Sequence, residues 1–571
     1  MKKVIEVSRR GWARLSRRGR KALILYVAGL VFTTGLDGAA LVLISNLLKE
    51  RTATAGDLST GYIALIAGLV IGLFLLRSAA AVVIAWRVTS RLAMEEVKVG
   101  SENFGAYAAQ HWETAQRMTV SDLFNVVDRG PWTLMGNLFS AATLIAELAS
   151  ALVIFLVLLV LQPATAISAA IFFVAVAVLQ HRVLSVSAAR AGNAIFQRSI
   201  SVYEMLGDSF RLKRVLSVSP SESLRGALDD ELRHHSVARA RLLFFESLPR
   251  YFMEASLAVG FATVGLVTYW ILGTDAVVPS LIVFAAAGFR LLPIVNHIQG
   301  LVLQIVGRTP VSETTLDYWD EAQVSNMAAP PPSDTVNDHD DVLLSLADVT
   351  YRYPDAEAES LMGVSLEFRR GLQYAIVGPS GSGKTTLVEL CLGLRQATTG
   401  RVEVGKSNLV RGYVPQDTHL AGIPVFNNVA LEWRDSKVDV GKAERALSTA
   451  ELTVAFEGRN LSESVQGMSG GQLQRLGLAR ALYRDPDFMV LDEATNALDA
   501  TTEASIVESL ELLRGRVTVV LVAHRLSTVR NADVVVYVSG GRVVYSGTFR
   551  EVYDSVPEFK TQVDLGRFDV E

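Results

Sequence analysis

The chain has 571 residues, 50% of them apolar and 20% charged, with a formal net charge of −4 and one cysteine. That length points to several domains rather than one core. One cysteine excludes an intramolecular disulfide, and with no zinc-type Cys/His spacing and no nucleic-acid motif a nucleic-acid partner is not expected.

The first 21 residues hold nine basic side chains: Lys2, Lys3, Arg9, Arg10, Arg14, Arg17, Arg18, Arg20 and Lys21. Segment 1–20 is expected in the cytoplasm; within it Arg9–Arg20, with Trp12 and Leu15, either lies as a helix in the membrane interface or simply flanks a span on the cytoplasmic side. It does not read as a cleavable leader, because the apolar run after it is too long and no small-residue cleavage site follows. Region 21–310 then holds six apolar stretches, about 23–48, 61–85, 134–160, 164–180, 251–273 and 279–306. Each can cross a ~30 Å hydrocarbon core as a helix. The third and fourth meet at Gln162-Pro163, as in a helical hairpin. Loops near 49–60, 161–163 and 274–278 are short and carry almost no net charge, so they are expected outside. The long charged stretches 86–133 and 181–250 are helix-patterned and expected in the cytoplasm, which agrees with a cytoplasmic N-terminus and six alternating spans. Trp112–Leu123 and Glu204–Lys213 are short amphipathic stretches within them, expected to carry coupling to the second half of the chain.

Charge inside a span is expensive and usually functional. Asp37, Arg77, Arg250 and Arg290 are the candidates. Three arginines facing one cavity would grip phosphate or pyrophosphate, because guanidinium binds such oxygens bidentately. The alternatives are snorkelling to the interface or ion pairing with Asp37 or Glu254.

Residues 311–342 change character: Ala328-Ala329-Pro330-Pro331-Pro332-Ser333-Asp334 and Asn337-Asp338-His339-Asp340-Asp341 build no core and read as a linker. A soluble α/β domain, 343–571, follows, opening on strand-like Leu343–Leu346 and Asp348–Tyr353. Within it, the apolar strand Tyr374–Val377 runs into Gly378-Pro379-Ser380-Gly381-Ser382-Gly383-Lys384-Thr385-Thr386 and then the apolar helix Leu387–Leu392. Glycine-rich turns let backbone N–H groups converge on phosphate, the helix N-terminus adds its dipole, and the lysine reaches the terminal phosphates. Cys391, on that helix, reads as a small core residue.

Further motifs follow in order. They are Tyr413-Val414-Pro415-Gln416-Asp417, Met468-Ser469-Gly470-Gly471-Gln472, Phe488-Met489-Val490-Leu491-Asp492-Glu493, Asn496-Ala497-Leu498-Asp499 and Val522-Ala523-His524-Arg525. Together with Tyr353 before Pro354, this set resembles the nucleotide-binding domain of ABC transporters over about 343–560. The resemblance implies ATP and Mg²⁺ as ligands. It makes Tyr353 the aromatic that stacks on adenine, although a half-buried strand tyrosine is the simpler alternative. It makes Gln416 a Mg²⁺ contact and Ser469, Gly470, Gly471 and Gln472 a grip on the ATP of an opposite subunit. His524 would hold the γ-phosphate and Asp499 would contact across subunits, with Asn496 standing where serine is usual. Thr385 and Asp492 would support Mg²⁺ while Glu493 polarises the attacking water.

The expected fold is an all-α, six-helix transmembrane domain of ABC exporter type, followed by an α/β P-loop ATPase domain with the ABC helical subdomain. One motif set and six spans make half a transporter, so a second copy is the simplest partner and a different half the alternative. A second resemblance concerns Leu248-Pro249-Arg250-Tyr251-Phe252-Met253-Glu254-Ala255 and Phe289–Ile298. Both are similar to segments of bacterial lipid-linked oligosaccharide flippases, in which arginines matching Arg77, Arg250 and Arg290 contact the lipid's pyrophosphate. The function expected is therefore ATP-driven flipping of a polyprenyl-pyrophosphate glycan or similar anionic lipid across the bacterial inner membrane. A general lipid, drug or peptide exporter is the second reading and an ATP-gated channel or regulatory subunit the third.

Overall fold

Long apolar runs fold here as helices far longer than the runs themselves. The computed structural model describes residues 2–53, 60–110, 112–161, 163–219, 222–274, 277–328, 335–336, 341–354, 356–453, 468–492, 508–523 and 525–565. The chain divides into two units, one of Met1–Gln110 with Thr114–Ala328, the other of His111–Glu113 with Ala329–Glu571.

In the first unit a short helix, α1 (Lys2–Arg14), precedes α2 (Arg17–Ala53), α3 (Thr60–Ala109), α4 (Gly130–Leu161), α5 (Pro163–Arg211), α6 (Glu222–Leu272) and α7 (Val277–Ala328). Helices of about 50 residues are roughly 75 Å long, more than twice the thickness of a hydrocarbon core, so part of each must lie outside it. Among the described residues five helices are long and apolar enough to cross a membrane. The sixth expected run, 279–306, lies in α7, where several side chains fall outside the described set. The expected linker also begins inside this helix: α7 continues through residues 311–328, carrying Pro293 and Pro310 within it. The chain is an integral membrane protein.

The basic N-terminal segment docks on protein. Val7 and Gly11 of α1 are buried, and a Cβ on Gly11 would stand 3.2 Å from Leu134. Val7, Leu15 and Leu23 join Val88, Leu134, Leu316 and Trp319 in one apolar core. The basic face meets an acidic stripe on α7: Lys3 pairs with Glu313 at 2.7 Å and Arg10 with Asp317 and Asp320 at 2.8 and 2.7 Å. Arg14 also reaches Asp320 and lies over the Trp319 ring. Acids at 313, 317 and 320 share one helical face because they are spaced by four and three.

The second unit contains ten strands among its described residues: β1 (Thr335–Val336), β2 (Val342–Tyr351), β3 (Leu361–Arg369), β4 (Gln373–Val377), β5 (Thr399–Val404), β6 (Arg411–Val414), β7 (Phe488–Asp492), β8 (Thr518–Val522), β9 (Val534–Ser539) and β10 (Arg542–Gly547). They form a sheet in the order β1-β5-β2-β3 and a second in the order β10-β9-β4-β8-β7-β6. In the second, β4, β6, β7, β8 and β9 run parallel and only β10 is antiparallel. Strands β4 and β8 are buried throughout, the pattern of a parallel sheet covered on both faces. Alternation sorts their side chains: Tyr374, Ile376, Phe488, Val490, Val520 and Val522 enter one core, while Met489, Leu491, Val519 and Leu521 enter another. The latter core is shared with α9 (Val440–Thr449) and α10 (Gly470–Tyr483) through Ala443, Leu447, Leu476 and Leu478.

Candidate functional site

The carboxyl ends of the parallel strands collect the sequence motifs. The glycine-rich run follows β4 and opens α8 (Lys384–Cys391), Gln416 lies two residues beyond β6, and Asp492 ends β7. In open α/β sheets this edge is where ligands bind.

The glycines shape a cradle. Gly378 has φ +151° and Gly383 φ +101°, backbone states that side chains rarely adopt. A Cβ on Gly378 would stand 2.0 Å from the Val538 carbonyl oxygen, and one on Gly383 2.7 Å from that of Ser360. Lys384 is buried, and its Nζ donates to the carbonyls of Gly378 at 2.9 Å and Pro379 at 3.0 Å, which holds the ammonium across the loop. Ser380, Gly381 and Thr385 are exposed, whereas Ser382 and Thr386 are buried. The buried Ser382 hydroxyl has no hydrogen-bond partner among the described residues. A helix N-terminus, a lysine and an orphaned hydroxyl around a glycine-rich turn fit the phosphates of a nucleotide.

Tyr353 is half-buried, its hydroxyl 3.0 Å from Thr386 Oγ1, with the Arg395 guanidinium 4.6 Å from its ring. The tyrosine is thereby fixed beside the phosphate loop; nothing in the sequence announced Arg395 in this role. Asp492 Oδ2 accepts a long bond from Tyr413 at 3.4 Å. Burial, then the Asp492 charge, pushes the Tyr413 phenol upward, so it stays a neutral donor to that carboxylate. Gln416 is exposed. Thr385 and Asp492 are oxygen donors of the kind Mg²⁺ takes.

Ser469 caps α10 in a reciprocal box: its Oγ accepts from Gln472 N at 3.3 Å, and Gln472 Oε1 accepts from Ser469 N at 3.0 Å. Among the described residues nothing stands within 4 Å of a Cβ built on Gly470, and Gly470 and Gly471 are the first two residues of the helix, where backbone N–H groups have no intrahelical acceptor. Glu493, Asn496, Asp499 and His524 lie outside the described residues.

In the first unit, Arg77 lines a cavity of about 670 Å³ together with Thr33, Thr34, Glu147, Ser150 and His297. Arg250 is not part of that lining: it is exposed and bonded through Nε to Glu254 Oε1 at 2.9 Å. The side chains of Arg290 and Asp37 lie outside the described set. Glu147 and His297 were missed in the sequence, although each is ionisable within an apolar run and the rule that singled out Arg77 applies to both.

Residues 361–496 match the family model of the ABC transporter domain. A lipid A-core flippase of Ralstonia nicotianae is 41% identical over 225 residues, 36% of this chain and 38% of that protein. Another, of Alkalilimnicola ehrlichii, is 34% identical over 293 residues, 48% of each. A beta-(1→2)glucan export ATP-binding/permease protein of Rhizobium johnstonii is 34% identical over 230 residues, 38% of this chain and 39% of that protein. The chain thus spans less than half the length of these curated relatives. Among solved structures, a bacterial Atm1-family ABC exporter with ATP bound superposes with a TM-score of 0.75 at 21% identity, covering 96% of this chain and 99% of that one. Residues 361–496 thus match an ABC transporter domain that follows a unit of long apolar helices, and the chain has the fold of an ABC exporter.

Proposed function

We propose that the chain is half of an ATP-driven exporter in the bacterial cytoplasmic membrane, moving an anionic lipid-linked glycan or similar amphiphile from the inner to the outer leaflet. The observation that carries the cargo reading is the polar cavity among the membrane helices, with the Arg77 guanidinium in its wall. Relatives described as lipid A-core flippases and glucan exporters support a lipid or glycan over a channel gate.

Hydrolysis in this reading needs no covalent intermediate; positioning and charge stabilisation suffice. The turn around Gly378–Gly383 presents backbone N–H groups to the phosphates, and the Lys384 ammonium moves from its carbonyl partners to the terminal oxygens. Thr385, Gln416 and Asp492 would hold Mg²⁺, which when bound neutralises phosphate charge. Glu493 orients water, and His524 holds the γ-phosphate. Ser469, Gly470, Gly471 and Gln472 of a second copy complete each site, so two chains are needed.

The test is the purified chain in proteoliposomes with fluorescent polyprenyl-linked glycans, carried on a monophosphate or on a pyrophosphate, reading ATP-dependent transfer between leaflets. Glu493→Gln should bind ATP yet turn over about 10²–10⁴-fold more slowly, with transfer lost in step. Wild-type turnover in Glu493→Gln would overturn the hydrolytic assignment. ATP hydrolysis without glycolipid transfer, accelerated instead by an apolar drug, would favour the general exporter.

A further inference from the structure

The cavity around Arg77 is not a purely cationic trap. Glu147 of α4 and His297 of α7 also line it, joined through Oε1 and Nδ1 at 2.8 Å. Thr34 and Ser150 hydroxyls line the same space, 2.8 Å from each other. The pair is not sealed away as a helix-to-helix staple: the Glu147 side chain keeps 22% of its exposure and that of His297 53%. Among the described residues of this lining, one guanidinium therefore stands with one carboxylate.

That arrangement suits one negative charge better than two. A glycan on a polyprenyl monophosphate is a phosphodiester monoanion, whereas one on a pyrophosphate is a dianion. The first phosphate gains a bidentate guanidinium contact. A second would be brought towards the Glu147 carboxylate, a like charge that repels it. Carboxylate, imidazole and hydroxyls are, in turn, the donors and acceptors that sugar hydroxyls need.

We propose that Glu147 and His297 are the head-group selector of this transporter. Arg77 takes a single phosphate, the Glu147 carboxylate accepts from sugar hydroxyls beside it while His297 holds the carboxylate in place, and a second phosphate is rejected. The proposal rests on the reading that this cavity receives the head of a transported glycolipid, and it narrows that head to a monophosphate.

The full chain in nanodiscs is titrated with polyprenyl-monophosphate glucose and with polyprenyl-pyrophosphate glucose, reading the half-maximal concentration for ATPase stimulation. The wild type should favour the monophosphate by about tenfold, or about 1.4 kcal/mol. Glu147→Gln keeps size and an acceptor but removes charge, so the ratio should fall towards one, chiefly through better response to pyrophosphate. Glu147→Asp retains the charge and should keep the preference; a merely structural role would not sort the two substitutions this way. A wild-type preference for pyrophosphate, or an equal ratio in the wild type and Glu147→Gln, overturns the selector and leaves the flippase reading standing. Stimulation by neither lipid, with ATP hydrolysis intact, overturns both.

Discussion

The three glycines of the phosphate cradle should respond to alanine in a graded order set by what a Cβ meets. Gly381 has φ +75° and, among the described residues, nothing within 4 Å of a built Cβ, so Gly381→Ala adds left-handed strain alone, ~1–2 kcal/mol. Gly383→Ala adds to such strain a contact of 2.7 Å with the Ser360 carbonyl and 2.8 Å with Leu361 Cδ2, of which the side chain can yield and the carbonyl resists. Gly378→Ala meets the Val538 carbonyl at 2.0 Å, and Val538 sits in β9, in register with Val543 of β10, so that oxygen has no room to withdraw. Strain and overpacking together should then reach roughly 3–5 kcal/mol, a large share of a typical domain's ~5–15 kcal/mol. The assay is thermal unfolding of the full-length protein in detergent, paired with equilibrium binding of a fluorescent ATP analogue. Gly381→Ala should unfold near the wild type and bind ATP about tenfold more weakly, Gly383→Ala should be intermediate, and Gly378→Ala should unfold early and lose binding. Equal stability of Gly378→Ala and Gly381→Ala, or wild-type ATP affinity in Gly378→Ala, would refute the reasoning.

Cysteines placed at Ser380 and Gly470 should cross-link between two chains when ATP is bound. The native thiol is silent in that experiment, because Cys391 is fully buried and burial pushes it up to about 12; cross-links formed only within single chains would remove the shared site. Asp320→Asn should destabilise the helical unit by ~0.5–1 kcal/mol at neutral pH, a modest figure because this carboxylate is 38% exposed. Burial raises the Asp320 carboxyl, but hydrogen bonds from Arg10 and Arg14 outweigh it and hold the group below its ordinary value. Its folded form thus binds a proton less readily than the unfolded one. The stabilisation is present above the unfolded value near pH 4 and is lost as pH falls through the folded value. An acid unfolding series should bring the wild type and Asp320→Asn together; a gap that stays constant from pH 6 to 3 would contradict the pairing.

Features carried by short-range pattern were legible in the sequence. Six apolar runs fall in six long helices, and the strand–turn–helix around Gly378 needs only local glycine geometry and a flanking β4. The gathering of Gln416, Asp492 and the phosphate loop at one sheet edge follows from the parallel pairing of β4, β8, β7 and β6. Long-range pairing was not legible. Arg250 had cargo, the interface, Asp37 and Glu254 open to it, and one helical turn of spacing lets the Glu254 carboxylate reach it. Glu147 and His297 lie 150 residues apart, so their meeting depends on how α4 and α7 pack. The residues 311–328 were assigned to a linker on composition, yet Leu316 and Trp319 bury against α1, and that burial keeps the helix running.

The clasp between α1 and the acidic stripe of α7 also fixes an order of events in synthesis. Arg10 and Arg14 leave the ribosome 310 and 306 residues before Asp320. At about 5–20 residues per second they wait roughly 15–60 s for that partner. Until then the Val7 and Leu15 face of α1 lacks Leu316 and Trp319 as neighbours. A contact of such sequence separation closes late, after its entropic cost has been met by the helices between. The clasp therefore closes late: α1 gains its α7 neighbours only once residues 313–320 have been made. A chain truncated before Glu313 would keep the α1 contacts to Val88 and Leu134 but lack the three acids and the cover of Leu316 and Trp319.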